Sequence, residues 1–459
     1  MSARLPPNFC PYIGLQPYSE SDAAFFFGRD RDQRVIVSNL YASPLTILYG
    51  ASGVGKSSIL LAGVLPRLRA TPRTAVAVFR TWQDASFCDA LKTEIVRAIQ
   101  VAQNKPLELD HALAFDEFLS AALAAFGGTI ILIFDQFEEY FLYHPASLAE
   151  DSFDAEFART VNRQDIDVPF LLALREDGLS KLDRFRARIP NLLGNTLRLR
   201  HLDPSAAEEA IRKPLEVYNK RAPDHPVGIE AALVQQVIEQ VRTGQVSLTG
   251  ASGAGHSQTT SDQTAQIETP FLQMVMTHLW EAEQQEHSSQ LRLATFTKLG
   301  GAQTIVRTHL DQLMDNLSAT EKEICSTFFD RLVTPSGAKV AQFADDLVKW
   351  TNYPPAQVSA TLKTLADARV LRPVSPPVDQ PQMTRYEIFH DVLAPAVLDW
   401  RRRYMEQQAQ EIELRREQAH RRRVIRNVGS AIATILLAAF TVLADFLITF
   451  LVRKVSMEL

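Results

Sequence analysis

The first candidate site is a glycine-rich loop over residues 50–57, which reads Gly-Ala-Ser-Gly-Val-Gly-Lys-Ser. It follows a short apolar run and precedes a predicted helix that begins at Lys56, the strand–loop–helix context of a phosphate-binding loop (P-loop). Glycines let backbone N–H groups surround phosphates, and the helix N-terminus favours negative charge. Lys56 would reach the β- and γ-phosphates, and Ser57 would ligate Mg²⁺. We therefore expect ATP or ADP to bind here with Mg²⁺. The predicted nucleotide-binding residues of this loop are Gly50, Gly53, Gly55, Lys56, Ser57 and Ser58.

Acidic side chains near a second apolar run could complete this chemistry. Asp135 directly follows the run Thr129–Phe134. An acid at the carboxyl end of a parallel strand, beside the P-loop, is placed to hold Mg²⁺ through water. Gln136 stands where many ATPases have a catalytic carboxylate, and Glu138 and Glu139 follow it. Either glutamate could orient the attacking water, and a solvated surface role stays open for each. The glutamine therefore predicts slow hydrolysis.

Two further side chains are candidates for contact with phosphates. Arg175 ends the apolar run Phe170–Leu174. In a P-loop sheet this position points toward the γ-phosphate, so Arg175 could sense it; a structural salt bridge is the alternative. His390 is an isolated histidine near the end of the globular part, and its sequence context alone favours a packed or surface residue. The candidate catalytic residues are Lys56, Asp135, Glu138, Glu139 and Arg175.

Apolar runs alternate with predicted helices over the first half of the chain. Runs that are almost wholly apolar are expected for strands covered on both faces, and the alternation predicts a parallel, doubly wound sheet of the α/β class. The predicted strands are Thr46–Tyr49, Thr74–Phe79, Thr129–Phe134, Phe170–Leu174 and Leu197–Leu199.

The length of 459 residues is too great for one hydrophobic core and predicts several domains. After residue 204 the pattern becomes helical, and the polar stretch 244–269 is typical of a mobile loop. A strand pair near residues 370–374 and 386–389 gives the last globular part winged-helix proportions. The predicted organisation is an N-terminal segment (1–40), a P-loop core (41–203), a helical domain (204–316), a winged-helix-like domain (317–400), a charged helix (401–427) and a transmembrane helix (428–452).

The segment Val428–Val452 has the composition of a membrane-spanning helix, and Asp445 is its only charged residue. As a helix it would span roughly 37 Å, enough for a hydrocarbon core of about 30 Å. A buried core helix is the alternative. Arginines crowd its N-terminal side, so the positive-inside rule places the globular body in the cytoplasm, anchored by a single pass in the inner membrane. A polar stripe along this helix is predicted to face other copies of the helix, or a water-filled path between them, in an activated oligomer, with a lone anchor as the alternative. The stripe consists of Ser430, Thr434, Ala438, Thr441, Asp445 and Thr449.

The overall composition excludes several classes of protein. The net charge of −5 argues against a general nucleic-acid binder, so no nucleic-acid partner is expected. The cysteines, Cys10, Cys88 and Cys325, are too few and too widely spaced for a disulfide framework or a zinc site. Residues 1–11 lack an apolar core of signal-peptide length. These features predict a reducing compartment that contains ATP.

These motifs together resemble the STAND class of signalling NTPases, an AAA+-like branch of the P-loop proteins, and more narrowly novel STAND subfamily 1. The resemblance covers roughly residues 11–400. The runs that carry it are Tyr12–Leu15, Ser21–Asp30, the P-loop and its helix over 50–68, Asp135–Glu139, Thr269–Gln273 and Leu299–Gly301.

The resemblance implies a nucleotide-controlled clamp: ADP keeps the NTPase and winged-helix domains closed, a trigger and ATP open them, and the open form oligomerises. It places Gly28 and Arg29 near the adenine and ribose, and Pro270 against the adenine. His390 takes the place of a histidine that contacts the β-phosphate of ADP, although Phe389 replaces the methionine before it. Residues 401–459 contain no repeats, so the usual trigger-binding module is not expected in this sequence.

The leading hypothesis is a membrane-anchored ATP/ADP switch that acts in bacterial stress or anti-phage signalling. Its expected partners are other copies of itself, membrane lipid and an unknown protein trigger or effector. Two alternatives belong to other classes. One is a scaffold with a structural nucleotide site, whose arginine-rich helix docks a partner or anionic lipid. The other is a regulator that binds DNA through the winged helix.

Overall fold

The computed structural model describes residues 9–84, 86–147, 149–242, 266–335, 339–374, 384–389 and 393–458. The chain forms two compact units, Met1–Leu398 and Asp399–Leu459. The first unit contains the P-loop and all the strands of the described chain. The second consists of most of one long helix.

A five-stranded parallel sheet is the centre of the first unit. Its order is β2-β3-β4-β1-β5, and the P-loop strand β1 lies between β4 and β5. The predicted α/β fold with a parallel sheet is confirmed. The strands are β1 (Leu45–Gly50), β2 (Thr74–Phe79), β3 (Thr129–Phe134), β4 (Phe170–Arg175) and β5 (Thr196–Arg198).

Both faces of this sheet are buried, which explains why its strands are apolar without alternation. On β3, Ile130 and Leu132 belong to a hydrophobic cluster on one face, whereas Ile131 and Ile133 belong to the cluster on the other. The first cluster is rich in aromatic side chains, with Trp82 at its centre in edge contact with Phe134. Strands buried on both faces are typical of parallel sheets covered by helices. The helices of this core are α1 (Asp30–Ala42), α2 (Lys56–Ser58), α3 (Leu65–Arg69), α4 (Phe87–Gln103), α5 (Phe115–Phe126), α6 (Tyr140–Tyr143), α7 (Phe153–Asn162) and α8 (Asp183–Arg186).

A group of helices follows the sheet, as the pattern after residue 204 predicts. Asp203 caps the first of them by accepting a hydrogen bond from the Ala206 N–H, and Pro204 occupies its first turn, where a missing N–H costs nothing. The predicted mobile loop 244–269 lies outside the described residues except for its last four, in which Ile267 bridges Leu202. The elements are α9 (Pro204–Arg221), β6 (Gly228–Ile229), α10 (Ala231–Gln240), α11 (Thr269–Gln285), β7 (Gln290–Leu291), α12 (Leu293–Lys298) and α13 (Gly301–Asp315).

The last part of the first unit, which we call the C-terminal small domain (residues 317–398), combines three helices with a three-stranded antiparallel sheet in the order β8-β10-β9. The predicted strand pair is present as β9 and β10. The elements are α14 (Ala319–Leu332), β8 (Gln342–Phe343), α15 (Ala344–Trp350), α16 (Pro355–Asp367), β9 (Leu371–Val374) and β10 (Arg385–Ile388).

A single helix, α17 (Leu393–Glu458), contains both the predicted charged helix and the predicted transmembrane segment, with no break between them. Its apolar side chains are exposed: Leu436, Leu437 and Phe440 are each at least 65% accessible. Of the helices in the described residues, it alone is long and apolar enough to cross a membrane, judged by length and composition.

Candidate nucleotide-binding site

The P-loop requires glycine at two of its predicted positions. Gly55, which precedes α2, has φ +97°, a backbone conformation that residues with a side chain rarely adopt. Gly50 ends β1, and a Cβ there would lie 2.5 Å from the carbonyl oxygen of Leu199, beyond β5. Gly55 thus lets the loop turn, and Gly50 lets the end of β1 lie close to the backbone of Leu199. Gly53 also has positive φ, +74°.

Lys56 lies at the start of α2, with its ammonium group folded over the loop. Its Nζ donates hydrogen bonds to the carbonyl oxygens of Gly50 and Ala51, each at 2.9 Å. Burial lowers the pKa of Lys56, and the nearby carboxylates of Glu138 and Asp135 oppose that shift. The ammonium group therefore lies at the mouth of the loop, where phosphates could replace the two carbonyl groups as acceptors.

Asp135 is fixed directly after β3 by backbone contacts. Its N–H donates to Phe79 O at 2.8 Å, and its carbonyl accepts from the buried indole of Trp82 at 2.9 Å. Its side chain is buried, with Oδ1 accepting from the Gln136 N–H at 3.0 Å. The other oxygen, Oδ2, has no hydrogen-bond partner among the described residues.

The carboxylate of Asp135 and the hydroxyl of Ser57 fit a magnesium ion. Burial raises the pKa of Asp135, and the nearby Ser57 opposes that shift. A buried carboxylate oxygen without a partner beside a hydroxyl is a suitable pair of hard ligands for Mg²⁺, which keeps several of its own waters.

Glu138 and Glu139 follow in a short 3-10 turn, Phe137–Glu139, and both line the same cavity. Glu138 Oε2 accepts a hydrogen bond from the backbone N–H of Arg175 at 3.2 Å, which ties the turn to β4. Burial raises the pKa of Glu138, with Lys56 opposing, and raises that of Glu139 to about 7, with Glu138 and Asp135 adding to the effect. Both carboxylates thus bind protons more readily than surface glutamates do.

Arg175 ends β4 in register with Gly50, so its side chain reaches the cavity beside the P-loop. Its Nη2 lies 3.0 Å from Asp177 and 3.6 Å from Oε1 of Glu387 in the C-terminal small domain. The structure therefore contains the salt bridge that was the alternative, and the phosphate-sensing role of Arg175 stays a prediction.

The N-terminal segment supports the loop from the other side. The buried guanidinium of Arg29 donates to the carbonyl of Val54 at 2.9 Å, and the Ser58 hydroxyl accepts from the Tyr18 N–H at 3.2 Å. Gly28 has φ +84°, and a Cβ there would lie 2.4 Å from the Ala206 carbonyl. Arg29 lines the cavity, whereas Gly28 serves a close contact with α9.

These side chains surround a cavity of about 420 Å³, within the 300–1,000 Å³ usual for ligand sites. Its lining includes the apolar groups of Pro17, Phe26 and Pro270. Thr269 also lines the cavity, and its hydroxyl is buried and without a hydrogen-bond partner among the described residues. Around the P-loop the described lining carries three carboxylates, Asp135, Glu138 and Glu139, and six cationic side chains. The cationic side chains are Arg29, Lys56, Arg80, Arg175, Arg369 and Arg372. A lining that combines an excess of cationic side chains with apolar groups suits a nucleotide.

Sequence reasoning missed three of these arginines. Arg80 follows β2, so its place at the carboxyl edge of the sheet could have been inferred from the strand pattern. Arg369 and Arg372 come from the C-terminal small domain, where Arg372 donates to the hydroxyl of Ser52 in the P-loop. No local signal marks them, because the contact joins positions 320 residues apart. His390 lies outside the described residues.

Solved structures with similar folds have low sequence identity to this chain. The ORC1 protein of Aeropyrum pernix in complex with DNA is 15% identical over 84% of this chain and 95% of its own, with a TM-score of 0.43. A Walker-type ATPase of Pyrococcus abyssi is 15% identical over 83% and 98%, with a TM-score of 0.41. The A. pernix ORC2 protein in ADPNP–ADP complexes is 14% identical over 83% and 94%, with a TM-score of 0.44.

These identities and TM-scores carry no information about the substrate or the partners of this chain. The complex with DNA is a property of the A. pernix protein, so the expected lack of a nucleic-acid partner finds no support there and stays a prediction. No curated protein sequence matches the chain. A family model does: Novel STAND NTPase 1 matches residues 11–431, which is most of the sequence. The chain therefore belongs to the novel STAND NTPase 1 family.

Proposed function

We propose that this protein is a signalling switch controlled by the exchange of ADP and ATP. The observation that carries the proposal is the composition of the cavity wall, to which both the P-loop core and the C-terminal small domain contribute. Arg372 contacts Ser52 across this boundary, and Arg369 donates to the carbonyl of Leu15. A nucleotide in the cavity would touch both parts, so it could favour one arrangement of them over another. A ligand shifts such an equilibrium only through contacts that differ between states.

The residues of the site divide the work of binding. Lys56 and the P-loop amides would hold the phosphates, and Ser57 and Asp135 would hold Mg²⁺. Arg175 is placed to contact a terminal phosphate. Pro270 and its apolar neighbours would cover the base, while Arg29 and Ser58 keep the loop in shape. His390 would contact the β-phosphate of ADP.

Slow hydrolysis suits a switch of this kind. Gln136 supplies no carboxylate, and Glu138 is tied to the backbone of Arg175. Glu139 is the better candidate to orient water, although only about half of it would be ionised near pH 7. The time spent with ATP bound would then be set by a partner or by assembly.

The long helix α17 would anchor the protein in the inner membrane by a single pass. The arginines that precede Val428 would remain on the cytoplasmic side with the globular unit. Its stripe of small and hydroxyl residues would face other copies of the helix in an activated oligomer. A protein trigger and a role in bacterial stress or anti-phage defence complete the proposal.

Binding by Lys56→Ala tests the nucleotide site. Calorimetry on the detergent-solubilised full-length protein should show Mg-ATP and Mg-ADP binding to the wild type. Lys56→Ala should abolish it, because the variant removes the ammonium group from the loop. Lys105→Ala, in an exposed loop, is the matched control and should bind normally. Unchanged affinity in Lys56→Ala would refute the site.

Hydrogen exchange tests the switch itself. Peptides that cover Arg385–Ile388 should exchange more slowly with ADP than with ATP, because the closed arrangement protects this strand. If ADP and ATP both bind but neither changes the exchange rate of these peptides, the result would favour the scaffold over the switch.

A further inference from the structure

A buried carboxylate of the C-terminal small domain, Glu387 on β10, is surrounded by three cations. Its Oε1 accepts a hydrogen bond from Nε of Arg372 at 2.7 Å. The same oxygen lies 3.6 Å from Nη2 of Arg175 and 3.6 Å from Nζ of Lys339. The side chain of Glu387 is 10% exposed, and those of Arg175 and Arg372 are 19% and 12% exposed. Water therefore screens these charges weakly, and all three cations share this one carboxylate oxygen.

The cluster joins two parts of the chain. Arg175 belongs to the core, at the end of β4 beside the P-loop. Glu387 and Arg372 are cross-strand partners on β10 and β9. The pair Arg175–Glu387 and the hydrogen bond from Arg372 to Ser52 thus connect the strand pair with the nucleotide site.

The two arginines of this cluster share the carboxylate of Glu387. Burial and the neighbouring Arg175 lower the pKa of Arg372, which reflects two guanidinium groups held close together. The other acidic partner of Arg175 is Asp177, whose side chain is 64% exposed and therefore well screened. A phosphate offers several charged acceptor oxygens to a guanidinium, so it competes well with one shared carboxylate.

We propose that Glu387 determines the preference of the site for ADP over ATP by competing with the terminal phosphate for Arg175. The inference rests on the proposed function. Arg175 must leave Glu387 to contact a terminal phosphate, which only ATP carries. ATP binding therefore costs the contact between Arg175 and Glu387, whereas ADP binding leaves that contact in place. Loss of the contact also removes one of the two ties between the strand pair and the core.

Opposite effects of the two partners test this idea. Affinities for Mg-ATP and Mg-ADP are measured by calorimetry on the full-length wild type, E387Q and R175Q. E387Q should raise the ratio of ATP affinity to ADP affinity by about 10-fold, within the range usual for coupled sites. R175Q should lower the ratio, because the terminal phosphate loses its guanidinium. A salt bridge that only stabilises the fold would move the ratio in the same direction in both variants, or in neither, and either result would overturn the proposal.

Three further proteins make the test specific. In the double variant R175Q/E387Q the glutamate substitution should no longer change the ratio, since Arg175 is not there to be released. A ratio that still rises would assign the effect to Arg372, which also contacts Glu387, and would overturn the proposal. K339M removes another cation from the same oxygen of Glu387. The carboxylate should then hold Arg175 more strongly, so the ratio should fall, opposite to the change in E387Q, and a rise in K339M would overturn the proposal. E387D withdraws the carboxylate by one methylene and should raise the ratio by a smaller factor, which decides the matter if E387Q does not fold. A wild type that binds neither nucleotide would overturn the proposed function as well, whereas normal binding with unshifted ratios would overturn this inference alone.

Discussion

The carboxyl group of Glu139 gives a quantitative prediction about pH. Burial, with the charges of Glu138 and Asp135 adding to it, raises its pKa from 4.5 to about 7. An acid with a higher pKa in the folded chain binds more protons when folded than when unfolded. Its stabilising contribution is therefore complete below about pH 4.5 and is lost as the pH rises through about 7. The rise of the pKa of Glu139 from 4.5 to about 7 corresponds to a loss of about 3 kcal/mol in the free energy of unfolding at pH 8, because a tenfold change in proton affinity is worth about 1.36 kcal/mol.

Replacement of Glu139 by glutamine should remove this loss, because the amide keeps the shape of the protonated acid. In the nucleotide-free, full-length protein, Glu139→Gln should leave the free energy of unfolding nearly unchanged at pH 4.5. At pH 8 it should raise that free energy by up to about 3 kcal/mol. Urea denaturation followed by tryptophan fluorescence measures both values, since Trp82 is buried beside the same turn.

Glu108→Gln is the matched control, because it removes the same charge from an exposed loop position. Its unfolding free energy should follow the pH dependence of the wild type. If Glu139→Gln changes stability equally at pH 4.5 and pH 8, Glu139 is not held protonated by its surroundings, and the reasoning fails.

Three other predictions concern the close contact at Gly28, the rate of nucleotide hydrolysis and the membrane helix. Gly28→Ala should lower the free energy of unfolding by more than about 1 kcal/mol, because φ is +84° and Ala206 O lies 2.4 Å from the new Cβ. The control Gly228→Ala should be nearly neutral, because the nearest atom to its new Cβ is 3.8 Å away. Equal melting temperatures for the two variants would contradict the structure. Basal hydrolysis should be slower than about 1 s⁻¹ in a phosphate-release assay, and faster turnover would show that Gln136 does not limit the reaction. Asp445→Leu should favour membrane insertion by about 2.5–3.5 kcal/mol if this residue faces lipid near the centre of the bilayer. The same variant should lower the yield of cross-linked oligomer. An unchanged yield would mean that the helix is only a tether.

The sheet and the grouping of the P-loop residues with Asp135 could be predicted from sequence because their signals are local. The strands Thr74–Phe79 and Thr129–Phe134 have the predicted limits, since a run buried on both faces is apolar from end to end. The shortest predicted strand, Leu197–Leu199, is displaced by one residue, because a three-residue edge strand has little pattern of its own. Asp135 and Lys56 line one cavity, as the order of strand, loop and helix requires.

The contribution of the C-terminal small domain could not be predicted in the same way. Arg372 and Glu387 meet as cross-strand neighbours, and their pairing depends on the register between β9 and β10. Their approach to Ser52 depends further on how a whole domain packs against the core. Arginine and glutamate on a short strand are typical of a solvated edge, so nothing in the sequence distinguishes these two from surface residues.

The chemistry of this domain contact suits a switch better than an apolar contact would. The contact includes the hydrogen bond from Arg372 to Ser52, the pair Arg175–Glu387 and the hydrogen bond from Arg369 to the Leu15 carbonyl. Removing charges from water offsets most of the attraction between them, so such contacts add little net stability. The strength of these contacts, however, depends strongly on which other charged groups lie nearby. An apolar interface would hold the domain equally well with either nucleotide, whereas arginines that share one carboxylate respond to a single additional phosphate.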